Sequence, residues 1–340
     1  MKLLEEIKKA NLERVAIFSG AGVDPDGLAS ALAMKLIVQS LGGNADCFFA
    51  GTFNRPQNKT MREVLNIDFS PNTSFKPEDY TCIISVDGPG EVCPSQPHFI
   101  IDHHKPGAEA LVGTDVRQIG ACSSIIWEYC VAAKLDFSTE IGSLLATALS
   151  VGILTDTNNF NIDKCSELDF EAISSLLAKK DHKAFMAIQN WPRPSYYNDM
   201  YSLGWKNKIW DGTVLVSGLG NIPEGRAGVI SDLAEKYGET IGVNLSVVVA
   251  MVNNEIIMSV RSSNSSIDVD EFVKAFGTGG GKRGAGVAKI QLPEPLFSSV
   301  DDEDREKVFS SFFNIIVSKA LKFAGDGASP VETKLIEKEL

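Results

Sequence analysis

Residues 14–43, "RVAIFSGAGVDPDGLASALAMKLIVQSLGG", decide the fold of this chain. The stretch begins with a short apolar run at 15–20, turns through two aspartates that flank a proline, and continues with apolar residues at helical spacing. Its closing glycine pair is typical of a helix C-terminus. We therefore predict a buried strand, a turn and a helix, which together make the basic unit of an α/β fold.

The same alternation continues through the first half of the chain. Short apolar runs bounded by turn residues predict further buried strands at 45–51, 81–87 and 98–102. Apolar residues at a spacing of about 3.6 predict helices at 123–133 and 140–154. The N-terminal half is therefore predicted to be α/β, with a mostly parallel sheet flanked by helices.

The second half is richer in β-structure. The runs "GTVLVSGL", "LSVVVAMV" and "EIIMSVRS" predict strands, and the asparagine pair at 253–254 predicts a hairpin between the last two. A short helix at 269–277 leads into a glycine-rich loop at 278–286, and a strand follows at 287–292. A long amphipathic helix at 304–323 completes a smaller C-terminal α/β domain.

The domain junction is predicted from a change in composition. Residues 183–206 mix aromatic side chains with two prolines, which interrupt any helix there. We divide the chain into a first domain at 1–185, a linker at 186–207, a C-terminal domain at 208–325 and a polar tail at 326–340. An interdomain cleft is expected from this arrangement.

Composition narrows the classes of partner. The formal net charge of −12 disfavours binding of long nucleic acid, although it allows a small anion in a locally basic pocket. No apolar run approaches the roughly 20 residues of a membrane span, and the N-terminus lacks a secretory apolar region. We expect a cytoplasmic protein that does not bind membranes.

Acidic and histidine side chains end four of the strand or helix runs. They are Asp24 and Asp26, Asp87, the triplet Asp102, His103 and His104, and Asp156. An acidic residue in such a place is usually a helix cap or a turn former. Together, carboxylates and imidazole at one edge of a sheet would repel one another or stay unpaired without a divalent cation, and mixed Asp and His sites suit Mn²⁺.

In this order, these aspartates and histidines match the four motifs of the DHH phosphoesterase superfamily, and "SVRSS" with "FGTGGGKRGAG" resembles the DHHA1 domain that follows in many members. The resemblance covers about 13–323 and suits the subgroup of nanoRNases and phosphoadenosine phosphatases. It implies two manganese ions between the domains, a metal-activated water that attacks a phosphoester or phosphoanhydride, and a DHHA1 loop that holds the substrate phosphate.

Carried onto this chain, the resemblance implies metal ligands, with Asp24 as an extra carboxylate, and catalytic residues. The implied ligands are Asp26, Asp87, His103 and Asp156, and the implied catalytic residues are His104 near the scissile phosphate and Asp102 as an orienting residue. Gly22 and Leu28 occupy positions where the family has a histidine and an aspartate. We therefore expect at most one firmly held Mn²⁺ or Mg²⁺, on the His103 side, and a turn or cap role for Asp24.

The glycine stretch is the predicted phosphate site. Backbone N–H groups of consecutive glycines can form an anion-binding concavity, and basic side chains accompany them here. The implied substrate-binding residues are Arg261, Gly279, Gly280, Gly281, Lys282 and Arg283. Lys282 stands where the family usually has a histidine, and the alternative is a solvated basic turn.

Two functions remain open from the sequence. The first is a metal-dependent phosphoesterase, a hydrolase acting on a nucleotide or short oligonucleotide. The second is a degenerate homologue that binds a phosphorylated ligand without hydrolysing it. A small phosphorylated substrate is the expected partner under both, and a homodimer is left open.

Overall fold

The chain is described by a computed structural model that covers residues 2–21, 24–51, 53, 55–88, 90, 93–104, 107–160, 165–264, 266–282, 284–293 and 302–325. It divides into two compact units, Met1–Pro192 and Arg193–Leu340. Among the described residues, no helix has the length and apolar character needed to cross a membrane.

The first unit is built on a six-stranded parallel sheet. Its strands are β1 (Val15–Ala21), β2 (Ala45–Ala50), β3 (Phe69–Pro71), β4 (Cys82–Val86), β5 (Phe99–Asp102) and β6 (Gly113–Val116). They lie in the order β3-β2-β1-β4-β5-β6, and Val15 of β1 pairs with Ala45 and Cys82. The prediction of a mostly parallel sheet is confirmed. The short strands β3 and β6 were missed because neither contains a continuous apolar run.

The helices of this unit bury the main core against the sheet. They are α1 (Lys2–Lys9), α2 (Pro25–Ser40), α3 (Pro56–Val64), α4 (Cys122–Ala132), α5 (Glu140–Asp156), α6 (Glu167–Leu177) and α7 (His182–Gln189). Leu28 of α2, Ile125 of α4 and Leu149 of α5 are fully buried in this core. A separate cluster contains Phe18 and Phe48, whose ring centroids lie 5.2 Å apart. Burial of the parallel strands on both faces explains why their sequences read as apolar runs.

The second unit has a mixed six-stranded sheet. Its elements are α8 (Tyr196–Lys206), β7 (Lys208–Trp210), β8 (Val214–Asn221), α9 (Gly228–Gly238), β9 (Leu245–Val252), β10 (Glu255–Ser262), α10 (Val269–Lys274), β11 (Thr278–Lys282), β12 (Ala285–Gln291) and α11 (Asp302–Gly325). The strand order is β11-β12-β10-β9-β8-β7, and β9 and β10 form the predicted antiparallel hairpin, with Asn253 at φ 53°.

One local prediction was confirmed and another was wrong. The prolines of 183–206 interrupt the helix as predicted, because α7 ends at Gln189, α8 begins at Tyr196, and both prolines lie in the irregular stretch between them. The glycine stretch predicted as a loop forms the edge strand β11, paired in antiparallel register with β12. Glycine is a poor strand former on its own, and this strand is held by its pairing with β12.

Candidate metal centre

The predicted metal ligands of the first unit converge at the carboxyl ends of its central strands. Asp87 follows β4 and His103 follows β5, where parallel strands of an open α/β sheet commonly place a site. Asp26 lies in the first turn of α2, and Asp156 is the last residue of α5. The start of α2, the end of α5 and the ends of β4 and β5 thus bring four residues, distant in sequence, to one place.

His103 is the centre of this group. Its Nε2 atom lies 3.1 Å from Oδ2 of Asp156, 3.4 Å from Oδ1 of Asp87 and 3.9 Å from Oδ2 of Asp26. Asp26 is 0% exposed, and Asp87 and His103 are each 6% exposed. Three carboxylates therefore face one imidazole nitrogen in a buried environment.

The other imidazole nitrogen fixes the state of the ring. Nδ1 of His103 lies 3.0 Å from the carbonyl oxygen of Ile119. A carbonyl only accepts, so Nδ1 carries a proton, and in the neutral ring the lone pair of Nε2 is directed at the carboxylates. Metal-binding histidines are typically held in this way, by a hydrogen bond from the nitrogen that does not ligate.

The carboxylates perturb one another. Burial, followed by the charge of Asp156, raises the pKa of Asp26 to about 6. Burial, followed by the charge of Asp26, raises the pKa of Asp87 well above its ordinary value. Asp87 also has a positive φ of 53°, a conformation that is costly for most side chains and is common at functional sites. A divalent cation would offset both the repulsion and the burial of charge.

Asp26 also has a structural task. Its Oδ2 accepts a hydrogen bond from the backbone N–H of Cys122, and its Oδ1 accepts one from the N–H of Ser123, each at 2.7 Å. These N–H groups begin helix α4 and need acceptors. Asp26 therefore joins the start of α2 to the start of α4 and has fewer lone pairs left for a metal than Asp87.

The other described residues of the first motif, Asp24 and Leu28, have structural roles. Asp24 is the N-cap of α2, and its Oδ1 accepts from the N–H of Gly27 at 2.9 Å, as the sequence favoured. Leu28, at a position where the family has an aspartate, is 0% exposed in the apolar core. Gly22 lies outside the described residues.

Asp102 and His104 form a second pair beside the centre. Oδ1 of Asp102 accepts from the N–H of His103 and lies 2.8 Å from Nδ1 of His104. Burial alone would raise the pKa of Asp102, but the hydrogen bond and charge of His104 outweigh it and lower the pKa. Asp102 thus holds both histidines, whereas the His104 side chain remains 36% exposed.

Candidate ligand atoms group in two ways within this site. One group is Asp26, His103 and Asp156, and the other is Asp87, His103 and His104, each with its ligand atoms within 4.8 Å of one another. His103 is common to both. Carboxylate and imidazole ligands suit Mn²⁺ and similar divalent ions, and the residues present therefore fit the metal that the sequence implied.

Sequence reasoning missed the main-chain groups of this site. The carbonyl of Ile119 and the N–H groups of Cys122 and Ser123 hold His103 and Asp26, yet backbone groups leave no residue-type signal. Gln118 was also missed, and its Nε2 donates to the carbonyl oxygen of His104 at 2.7 Å. An exposed glutamine just before a helix gives no sequence pattern that would single it out.

Of the predicted phosphate residues, those that the structure describes lie in the sheet of the second unit. Arg261 of β10 pairs with Ala285 of β12, which pairs with Lys282 of β11, so these three occupy one row across the strands. The guanidinium of Arg261 donates to Oγ of Ser259 at 3.1 Å and to the carbonyl oxygen of Val260 at 2.9 Å. Arg283 lies outside the described residues.

The glycine N–H groups do not form the predicted concavity. The N–H of Gly281 donates to Oδ1 of Asp270 at 3.0 Å, and that of Gly279 donates to the carbonyl oxygen of Gly277. Gly280 differs from its neighbours, because an added Cβ would meet nothing within 4 Å. The open feature of this strand is therefore the surface at Gly280 rather than a nest of N–H groups.

Comparison with known proteins agrees with this architecture. The DHHA1 domain family matches residues 211–312. An uncharacterized protein of Methanocaldococcus jannaschii is 30% identical over 307 residues, which cover 88% of this chain. The chain spans only 62% of that relative's length.

Solved structures share the fold at low sequence identity. An exopolyphosphatase-related protein from Bacteroides fragilis has a TM-score of 0.66 and 15% identity, with 93% of this chain and 97% of that chain covered. RecJ of Thermus thermophilus, solved in complex with Mn²⁺, has a TM-score of 0.51 and 15% identity, with 97% of this chain and 55% of that chain covered. Residues 211–312 thus match the DHHA1 domain family, and the solved structures share the fold of this chain.

Proposed function

We propose that this chain is a metal-dependent phosphoesterase that hydrolyses a nucleotide or a short oligonucleotide. One observation supports the proposal above the others: Asp26, Asp87 and Asp156 all approach Nε2 of His103, in a pocket where they are unfavourable without a cation. A cluster of this composition at strand carboxyl ends is suited to divalent metal chemistry on phosphate esters.

The proposed centre holds one Mn²⁺ or Mg²⁺ firmly, through His103 together with Asp87 and Asp156. When bound, such an ion lowers the pKa of a coordinated water and neutralises charge on a phosphoryl oxygen. Asp26 supplies negative charge to the centre while it anchors α4.

His104 is the proposed general acid. Its ring is oriented by Asp102 and is partly exposed, so it can reach a substrate and donate a proton to the leaving oxygen. His103 is unsuited to this role because it is buried and its Nδ1 proton is engaged by Ile119.

We assign substrate phosphate binding to the row of Arg261 and Lys282 and to the adjoining Arg283, with Gly280 as the open position beside them. Basic residues gathered on one part of a chain with a net charge of −12 favour a small anion. The open surface at Gly280 allows a ligand to approach the backbone closely, which a side chain would prevent.

Hydrolysis assays with the purified full chain test this function. Mononucleotides, dinucleotides and bis(p-nitrophenyl) phosphate would be incubated with Mn²⁺ or Mg²⁺, alongside His103→Gln and the matched control His182→Gln, which changes an exposed histidine at the start of α7. We expect metal-dependent product that is lost in His103→Gln and kept in His182→Gln. Equal product in both variants would contradict the proposed centre.

A non-hydrolysing nucleotide-binding protein is the second candidate. It is favoured by the buried, apolar Leu28 and by Gly22, which leave each of the two metal positions of the family without one of its usual ligands. Saturable nucleotide binding by calorimetry, with no product from any substrate at millimolar Mn²⁺, would support this candidate over the enzyme.

A further inference from the structure

Asp169 caps the start of helix α6. The helix begins with a capping box, in which Oδ2 of Asp169 accepts from the backbone N–H of Ser166 at 2.7 Å. The hydroxyl of Ser166 donates to the same oxygen at 2.7 Å. Such a cap is local and needs only one carboxylate oxygen. Asp169 is 0% exposed, however, so its other oxygen also needs a partner within the protein.

The same carboxylate reaches the connection between β6 and α4. Oδ2 of Asp169 accepts from the backbone N–H of Gly120 at 2.9 Å, across 49 positions of sequence. Oδ1 accepts from the hydroxyl of Ser124, in the first turn of α4. The carboxylate thus holds both ends of segment 120–124 as well as the start of α6.

This part of the chain presents main-chain groups to the metal centre. The carbonyl oxygen of Ile119 accepts from Nδ1 of His103, and the N–H groups that begin α4 donate to Asp26. Gly120, whose own N–H is held by the carboxylate, directly follows Ile119. A shift of Gly120 would therefore move the carbonyl that orients the His103 ring.

The contact at Gly120 leaves no room for a side chain. A Cβ added there would lie 2.5 Å from Oδ2 of Asp169 and 2.7 Å from Cγ2 of Thr157. Thr157 is the C-cap of α5 and directly follows Asp156 of the metal centre. Glycine thus lets the carboxylate and the end of α5 approach the backbone beside Ile119.

We infer that Asp169 is a positioning residue of the metal centre, because its carboxylate fixes the main chain at Ile119 and thereby the direction of the His103 ring. The inference rests on the metal-binding part of the proposed function. Among the described residues, Asp169 belongs to neither group of candidate ligand atoms, so it acts through the main chain rather than on an ion. Partners that orient metal ligands commonly affect metal affinity in this way.

Substitutions separate positioning from helix capping. Asp169→Ala removes the contacts to both segments. In Asp169→Asn the amide oxygen can accept from Gly120 and Ser166. Its amide nitrogen can donate to the hydroxyl of Ser124, so this conservative variant should rescue the contacts. Ser166→Ala is the matched control, since it removes a hydroxyl from the cap of α6 and leaves the Asp169 contacts to Gly120 and Ser124 in place.

Calorimetry on these full-length variants measures the effect on Mn²⁺ binding. We expect Asp169→Ala to weaken Mn²⁺ affinity about tenfold. Asp169→Asn and Ser166→Ala should stay within about twofold of the wild type, although Ser166→Ala lowers the stability of the chain.

Exchange of the Nδ1 proton of His103 with water tests the positioning without any metal. In the metal-free chain this proton is buried and bound to the carbonyl of Ile119, so its NMR signal should persist. The signal is assigned by its loss in His103→Gln. We expect the proton to exchange at least about tenfold faster in Asp169→Ala than in Ser166→Ala.

Gly120→Ala keeps the inference testable if Asp169→Ala does not fold. The added methyl group collides with Oδ2 of Asp169 and displaces the adjoining Ile119, while the capping box of α6 stays intact. We expect the same weaker Mn²⁺ binding and faster proton exchange. Gly225→Ala is the control, because a Cβ at this exposed glycine would meet nothing within 4 Å.

The inference is overturned if a folded Asp169→Ala or Gly120→Ala chain exchanges the Nδ1 proton of His103 as Ser166→Ala does, or binds Mn²⁺ as tightly as the wild type. A wild-type chain that binds no Mn²⁺ would contradict the proposed function, and the exchange rates alone would then decide the positioning role. A chain that shows both expected effects but hydrolyses no phosphoester would support the role of Asp169 and contradict the proposed hydrolysis.

Discussion

Nδ1 of His103 donates to the carbonyl oxygen of Ile119, and this contact directs Nε2 of the same ring at three carboxylates. Ile119 lies in the connection between β6 and α4. The connection between β6 and α4 thus fixes the tautomer of the His103 side chain, which follows β5. The central claim, a metal centre on Nε2 of His103, follows from this geometry.

Asp87 should be the least replaceable ligand, because its carboxylate is buried and its Oδ1 lies 3.4 Å from Nε2 of His103. Asp87→Asn is the sharper variant than alanine, since asparagine tolerates the positive φ of 53° and removes only the charge. We expect Mn²⁺ affinity to fall by at least about 100-fold with little change in circular dichroism. Affinity equal to that of the wild type, measured by calorimetry, would place the centre elsewhere.

Replacing Asp102 should lower the hydrolysis rate more than the metal affinity, because Asp102 orients the His104 ring. We expect Asp102→Asn to lower the hydrolysis rate by about 10- to 100-fold and to change Mn²⁺ affinity only a few-fold. The exposed Asp136 offers a control, and Asp136→Asn should leave both quantities unchanged. An unchanged rate in Asp102→Asn would remove His104 from the proposed proton transfer.

The basic residues after the glycines should govern nucleotide affinity and its salt dependence. Replacing Lys282 and Arg283 together with serine should weaken nucleotide binding about tenfold and flatten its dependence on ionic strength, with Mn²⁺ binding intact. Lys289→Ser, on the exposed side of β12, is the matched control. If the double variant binds nucleotide as the wild type does, Lys282 and Arg283 are solvated basic residues that bind no phosphate.

Stability of the metal-free protein should fall as the pH rises through the titration range of Asp26. Burial, and next the charge of Asp156, raise its pKa from 3.8 to about 6, so the folded chain binds this proton more tightly than the unfolded chain. The stabilisation is complete below the unfolded pKa of about 3.8 and is lost as the pH rises through about 6. Urea unfolding at about pH 5 and about pH 7 measures this difference.

Two comparisons make the pH effect specific. Asp26→Asn should show a smaller fall in unfolding free energy between these pH values than the wild type. Saturating Mn²⁺ should reduce or reverse the fall, because the cation replaces the proton among the carboxylates. An identical pH dependence in wild type and Asp26→Asn would show that Asp26 does not titrate in this range.

Much of the first unit was predictable because buried parallel strands have a simple sequence pattern. The apolar runs that became β1, β2, β4 and β5 were evident, and the acidic and histidine residues after them converge as expected at strand carboxyl ends. The strand β6 was not predictable, since "GTDV" is short and polar and its place depends on pairing with β5.

The parts of the sites that depend on backbone contacts were beyond sequence reasoning. The glycine stretch was predicted as an anion-binding loop, but pairing with β12 and the Asp270 carboxylate engage its N–H groups. Likewise, the role of Asp26 at the start of α4 arises from a contact across 96 positions of sequence. Such contacts are set by tertiary packing, and local residue patterns do not encode them.

Anomalous diffraction from crystals grown with one equivalent of Mn²⁺ per chain tests the central claim most directly. We predict a single manganese peak bonded to Nε2 of His103, with Asp87 and Asp156 among its ligands and a metal–nitrogen distance of about 2.0–2.3 Å. Manganese located away from Nε2 of His103, or no ordered manganese at all, would contradict the account.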